Sequence, residues 1–178
     1  MSWLVGGFMV DGYSPIQDHI SSLAAVDAPS RMLMNFGFAA FAFGVGSAAW
    51  PLRKVIGNEA SVALALNALF VFGVLLTPEG RSSGTDFLHG GFASLVYLSL
   101  AVVAPLAALA FRRRGLSYWA IVSFAVGLGT AAFLIASNRA ATSGLFQRLG
   151  LTTTDLWLMA VGIAYLSPQE RSEHFSPQ

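Results

Sequence analysis

Long uncharged apolar stretches alternate along this chain with short polar breaks. Four stretches, at about residues 32–52, 60–77, 88–111 and 116–137, run on far enough to cross a bilayer as helices. Each meets the roughly 20 apolar residues (about 17–25) that a hydrocarbon core requires. A fifth, about 145–166, is long enough but carries polar residues, Asp155 among them. Residues 1–10 (MSWLVGGFMV) supply only half a span. The breaks at Pro51–Glu59, Pro78–Asp86 and Arg112–Gly115 read as turns, and short turns force successive helices antiparallel. The pattern predicts an all-α, integral membrane up-down helical bundle. It is one transmembrane domain over residues 1–178, with five full spans plus a shortened N-terminal half-helix.

The segment from Asp11 to Arg31 has a pattern of its own. Ser14-Pro15-Ile16-Gln17 has the form of a capping box with proline at the first helical position. Ile16, Ile20 and Leu23 follow at i, i+4 and i+7, one apolar stripe. The spacing predicts a short amphipathic helix over about 15–25, lying on the outer membrane surface.

Composition sharpens the membrane reading. Hydrophobic residues make up 55% of the 178 and charged residues 11%, against about 25% charged in ordinary soluble domains. The net charge of +1 excludes a nucleic-acid footprint. With no cysteine, disulfides, thiol catalysis, thiolate metal sites and c-type haem attachment are excluded. Residues 1–10 have neither a basic leader nor a small-residue cleavage site, so no signal peptide is expected. Arg53, Lys54, Arg112, Arg113, Arg114 and Arg171 fall on one side of the bundle, and the smaller set Arg31, Arg81, Arg139 and Arg148 on the other. The positive-inside rule puts the tail 167–178 in the cytoplasm, in a bacterial inner membrane.

That topology gathers Asp18, His19, Ser21, Asp86, His89, Arg139, Gln147 and Arg148 at the outer helix ends and loops, so any chemistry is expected on the extracytoplasmic face. Asp86 reads as the cap of the third span with His89 in its first turn, where the helix dipole favours neutral imidazole. His89 is then a metal ligand, a general base or a hydrogen-bonded interfacial histidine. Asp18, His19, Asp86 and His89 are the residue types of a zinc site, with His19 and His89 its imidazoles. No H-x-x-x-H or H-E-x-x-H spacing supports one, and no metal or other cofactor is expected. Deeper in the bundle, Arg148, Thr152 and Asp155 share one face of the last span. A carboxylate at mid-span is costly and pairs with something; Thr152 and Asn67, midway along the second span, are the nearest partners by depth. Two readings stay open: a polar pocket or proton-coupled path, and a hydrogen-bond network between helices. The many span glycines, such as Gly37, Gly73, Gly127 and Gly129, read as close-packing positions. The single lysine, Lys54, lies in a turn and excludes a retinal protein; the lack of four facing histidines excludes a di-haem cytochrome. No nucleophile-elbow motif is present.

Three stretches carry a resemblance. They are Gly12-Tyr13-Ser14-Pro15-Ile16-Gln17-Asp18-His19-Ile20-Ser21-Ser22-Leu23-Ala24-Ala25, the region from His89 to Leu100, and Gly144-Leu145-Phe146-Gln147-Arg148-Leu149. The first resembles the G-Y-x-P-x-x-D-x-I-S-x-L-x-A segment of an uncharacterised prokaryotic membrane family, domain of unknown function 998, and the likeness covers nearly the whole chain. The resemblance implies a six-helix fold whose first helix precedes that segment; here it is cut to about ten residues. More distantly, the chain is similar to eukaryotic six-helix proteins of lipid handling and sensing. The leading expectation is a non-enzymatic membrane protein, a structural or accessory subunit whose partners are the lipid bilayer and other membrane subunits. The alternative is a lipid-binding or lipid-modifying protein with a polar site on the extracytoplasmic face, and the third a small transporter using Asp155.

Overall fold

The structure, a computed structural model, describes residues 2–139 and 141–166. Six α-helices and one short 3-10 helix follow in order: α1 Ser2–Gly7, the 3-10 helix Ile20–Ala24, α2 Arg31–Ile56, α3 Asn58–Leu76, α4 Ser83–Arg113, α5 Ser117–Ser137 and α6 Ser143–Leu166. Four of them, α2, α3, α4 and α5, are long and apolar enough to cross a membrane. Large apolar side chains such as Met32, Phe36, Leu76, Phe87 and Ile121 stand exposed on the outside of the bundle. In water that surface would be an aggregation liability; in lipid it is the expected exterior. The tail 167–178 lies outside the described residues.

Consecutive helices pack pairwise from α2 through α6, forming an arc in which α2 and α6 scarcely touch. Half of α3's most apolar window is buried against protein and only 17% of α2's, so α3 is interior and α2 is an edge. Close approach in the arc depends on missing side chains. A Cβ at Gly127 of α5 would sit 2.3 Å from the Pro105 ring of α4, and one at Gly73 of α3 would sit 2.3 Å from Phe92. Gly44, Gly90, Gly91 and Gly129, in contrast, face open space. Phe111, Val55, Ile56, Val103 and Trp157 fill the main core.

The two ends of the bundle differ. At the turn end, Gly57 takes φ +89°, a left-handed conformation that costs a non-glycine residue roughly 1–2 kcal/mol. Arg114 donates to the Val55 carbonyl there. At the loop end, the segment 8–30, the turn 77–82 and the start of α6 come together.

The expected helix over about 15–25 is not formed. Only Ile20–Ala24 is helical, as a 3-10 turn, and Ile20, Leu23 and Ala24 are buried against Met34 rather than laid on a surface. The reason is competition for carbonyls. Ile16 O accepts from Leu145 N at 2.9 Å, and Gln17 O from Gly144 N and the Ser143 hydroxyl at 3.3 and 2.6 Å. These acceptors would serve the helix's own amides; instead they satisfy the orphan N–H groups that open α6. The third span also begins earlier than expected. Ser82 is its N-cap and accepts from Thr85 N; Asp86 is not the cap but accepts from Gly80 N at 2.9 Å.

Candidate functional site

Gly144 admits the docked loop. A Cβ there would meet Asp18 O at 2.2 Å and Arg148 Nη1 at 2.8 Å. With the hydrogen in its place, Arg148 reaches out of α6 into the loop. Its Nη1 donates to Pro15 O, Asp18 O and Gly144 O at 2.7, 3.0 and 2.8 Å, and its Nη2 donates to the Tyr13 hydroxyl. Tyr13 in turn donates to His19 O. The Trp3 ring lies 5.0 Å from the guanidinium carbon, within cation–π range.

Every one of these acceptors is neutral. Burial pushes the Tyr13 phenol above its ordinary value, against the charge and hydrogen bond of Arg148, which pull it down; it stays a neutral O–H and not a counter-ion. Arg148 is 7% exposed, forms no ion pair among the described residues, and leaves its Nε–H without a partner. A buried guanidinium normally sits opposite a carboxylate or phosphate.

Its chain neighbour Gln147 is bonded through both its amide oxygen and its amide nitrogen. Its Oε1 accepts from Ile20 N at 2.7 Å, fixing the 3-10 helix to α6, and its Nε2 donates to the Tyr97 hydroxyl. On α4, His89 is 4% exposed. Its Nδ1 lies 2.6 Å from Thr77 O; a carbonyl only accepts, so Nδ1 carries the hydrogen. Nε2 lies 3.2 Å from Glu79 Oε1, within ion-pair distance but out of hydrogen-bonding alignment. Glu79 also accepts from the Ser21 hydroxyl at 3.0 Å. His89 is thus tied to the 77–79 turn, which is the hydrogen-bonded reading among the three expected for it.

These residues border a cavity of about 200 Å³ between α1, the 3-10 helix, α2, α3, α4 and α6. It exceeds the roughly 150 Å³ void that takes up a benzene-sized molecule. Ser21, His89, Tyr97, Gln147 and Arg148 give its lining polar groups, and Phe38, Phe41, Val71, Val96, Leu100 and Leu151 give it apolar ones. His89 and Leu100 are eleven residues apart on α4, so the lining extends about 16 Å along the helix. Asp155 and Thr152 border it too.

Of the residues singled out by sequence, the structure joins Asp18 to Arg148, through the Asp18 main-chain carbonyl, and places Ser21, His89, Arg148, Thr152 and Asp155 around one cavity. The Asp18 carboxylate turns back to accept from Ser14 N. His19 is exposed and joins the network only through its carbonyl, and Asp86 is exposed. Among the described residues, no group of three or more histidines and carboxylates comes together as metal ligands would. Asn67 is not a partner of Asp155. It donates to Val96 O and the Ser99 hydroxyl on α4, at 3.1 and 3.0 Å, because α3 packs on α4 and away from α6. Glu79 and Tyr97 were missed; the signals were an acidic residue beside the Pro78 turn and a tyrosine eight residues after His89 on an otherwise apolar helix.

The family profile described as "Protein of unknown function (DUF998)" matches residues 1–164. The chain belongs to this family. Within that DUF998 match lie Tyr13, the docked loop, the residues that line the cavity and Arg148, so the network described above is part of the family region and not an appendage to it. No curated protein matches the chain, and no solved structure does.

Proposed function

We propose that the protein binds one chain of an amphiphile in this cavity, as a multi-pass protein of a bacterial inner membrane. In this reading α6 is the fifth span, the loop end is extracytoplasmic and the tail 167–178 cytoplasmic. The observation that carries it is the mixed lining: a few hydrogen-bonding groups set among apolar side chains, over about 16 Å of α4, the length of about eleven helical residues. Ligand sites of this kind are mostly apolar with a few placed polar groups.

The test is a photoreactive fatty acid incorporated into membranes containing the protein. Cross-links should concentrate on Phe38, Ala93 and Leu151, and Ala93→Phe, which fills the cavity, should remove them. Labelling spread evenly over the exposed helix faces, with none at these positions, would sink the reading.

A second reading, an accessory subunit of a larger membrane assembly, is favoured by the seam between α2 and α6. Below the cavity the same faces of these helices, with Gly44, Ala48, Pro51, Leu158 and Gly162, border an open apolar groove. Purification with a stoichiometric partner, lost in Gly44→Leu, would promote this reading; a solitary protein that carries lipid supports the first.

A further inference from the structure

Around the cavity, donors are left over beside Arg148, and one acceptor, His89 Nε2, is left over beside Glu79. Gln147 spends its acceptor on Ile20 N and one amide hydrogen on Tyr97. Ser21 spends its proton on Glu79, and His89 Nδ1 spends its hydrogen on Thr77 O. Donors remain among the described residues, among them the Arg148 Nε–H, which has no partner, and the Tyr97 O–H, whose oxygen already accepts from one of the two Gln147 amide hydrogens. Both residues line the same cavity, and Tyr97 is bonded to Gln147, the chain neighbour of Arg148. Buried donors without acceptors are rare in folded proteins, and each costs free energy until something accepts from it.

Charge points the same way. The Arg148 cation meets only neutral oxygens. Three carboxylates lie in the surroundings. Asp18 is turned to Ser14 N, and Glu79 is held by Ser21 beside His89. Asp155 is seven residues further along α6, about 10 Å deeper, and none of the three forms an ion pair with Arg148.

We infer that the ligand's head is an anionic, acceptor-rich group, a phosphate or carboxylate, seated against Arg148 and Tyr97 with its hydrocarbon chain running through the cavity. This rests on the amphiphile reading and names its chemical class. The guanidinium supplies the charge and one N–H, the phenol supplies an O–H, and Trp3 and Tyr13 shield the guanidinium from water.

Three probes with one chain separate head from tail: hexadecyl phosphate, hexadecanol and hexadecyltrimethylammonium. Each is added at equal mole fraction to nanodiscs holding the full-length protein, and the amount retained is read by native mass spectrometry. Hexadecyl phosphate should be retained about tenfold more tightly than hexadecanol, a free-energy step of about 1.4 kcal/mol. Tyr97→Phe, which deletes one hydroxyl, should cut that preference to about threefold. Arg148→Gln should abolish it and is read only if the variant keeps the wild-type thermal midpoint, because Arg148 also ties down the loop; Tyr97→Phe carries the test otherwise. Equal retention of hexadecanol overturns the anionic head and leaves the amphiphile reading standing. Preference for the ammonium probe overturns it in favour of Asp155. Displacement of hexadecyl phosphate by equimolar inorganic phosphate keeps the anion site and overturns the amphiphile. Retention of none of the three overturns both.

Discussion

Gly144 and Arg148 act as a pair, the one by absence and the other by reach. Removing the space should therefore matter as much as removing the bonds. Gly144→Ala should lower stability by about 1–3 kcal/mol, the usual cost of forcing atoms into a filled site, read as a fall in the thermal midpoint in detergent. Gly129→Ala, where a methyl meets nothing within 4 Å, should not lower it and should raise stability by about 0.4–1 kcal/mol, the usual gain of alanine over glycine in a compatible helical site. Asp155 poses a different question. If it completes packing, Asp155→Asn should fold and retain bound ligand like the parent, since an amide keeps most of a carboxylate's hydrogen bonds. A well-folded Asp155→Asn that loses a proton-coupled flux in proteoliposomes would instead promote transport. At this scale the sequence was partly legible. Asp18, His89 and Arg148 stood out because charged and imidazole groups are rare in so apolar a chain. Their bonding was not legible, because Asp18 contributes its main-chain oxygen to Arg148, and every residue type has one.

Between elements, polar pairs stitch α6 to α5. The Thr130 and Thr154 hydroxyls lie 2.8 Å apart, both fully buried, and Trp157 Nε1 donates to the Ser123 hydroxyl at 2.9 Å. In apolar surroundings such bonds contribute on average about 0.6 kcal/mol and at most about 1.7. Thr154→Val, close in shape, should cost an amount in that range, and the double variant with Thr130→Val should cost little more than either single one, a coupling that a double-mutant cycle in detergent reads directly. Helices α2 to α5 were legible, since each rests on a long apolar run bounded by polar residues, glycine or proline. The segment over 15–25 was not, although its stripe and capping residues are genuine. Ser14 Oγ does face Gln17 N, at 3.4 Å, yet the helix loses to α6's need for acceptors. A local signal of about 1 kcal/mol for a cap is outweighed by several hydrogen bonds to another element, some of them to a cation.

Across the whole molecule, the two ends should lie on opposite sides of the membrane. The chain has no native cysteine, so Arg81→Cys and Arg113→Cys, both at exposed positions, give clean reporters. An impermeant maleimide added to intact cells should label position 81 and spare 113; the reverse pattern would invert the proposed orientation. Membrane character was legible from the spacing of charges alone. The arc and its seam were not, because turn lengths say which helices are antiparallel but not whether the first and last of them close a ring. The docking of the loop onto α6 has a consequence for how the chain is made. Tyr13, Pro15 and Asp18 wait for Gly144 and Arg148, which leave the ribosome some 130 residues later. At about 5–20 residues per second, the N-terminal loop stays unanchored for about 7–26 s while the spans enter the membrane. Its carbonyls find their partners only when the last helix arrives, so a ribosome halted before Arg148 should leave this loop open to protease and one halted after α6 should not.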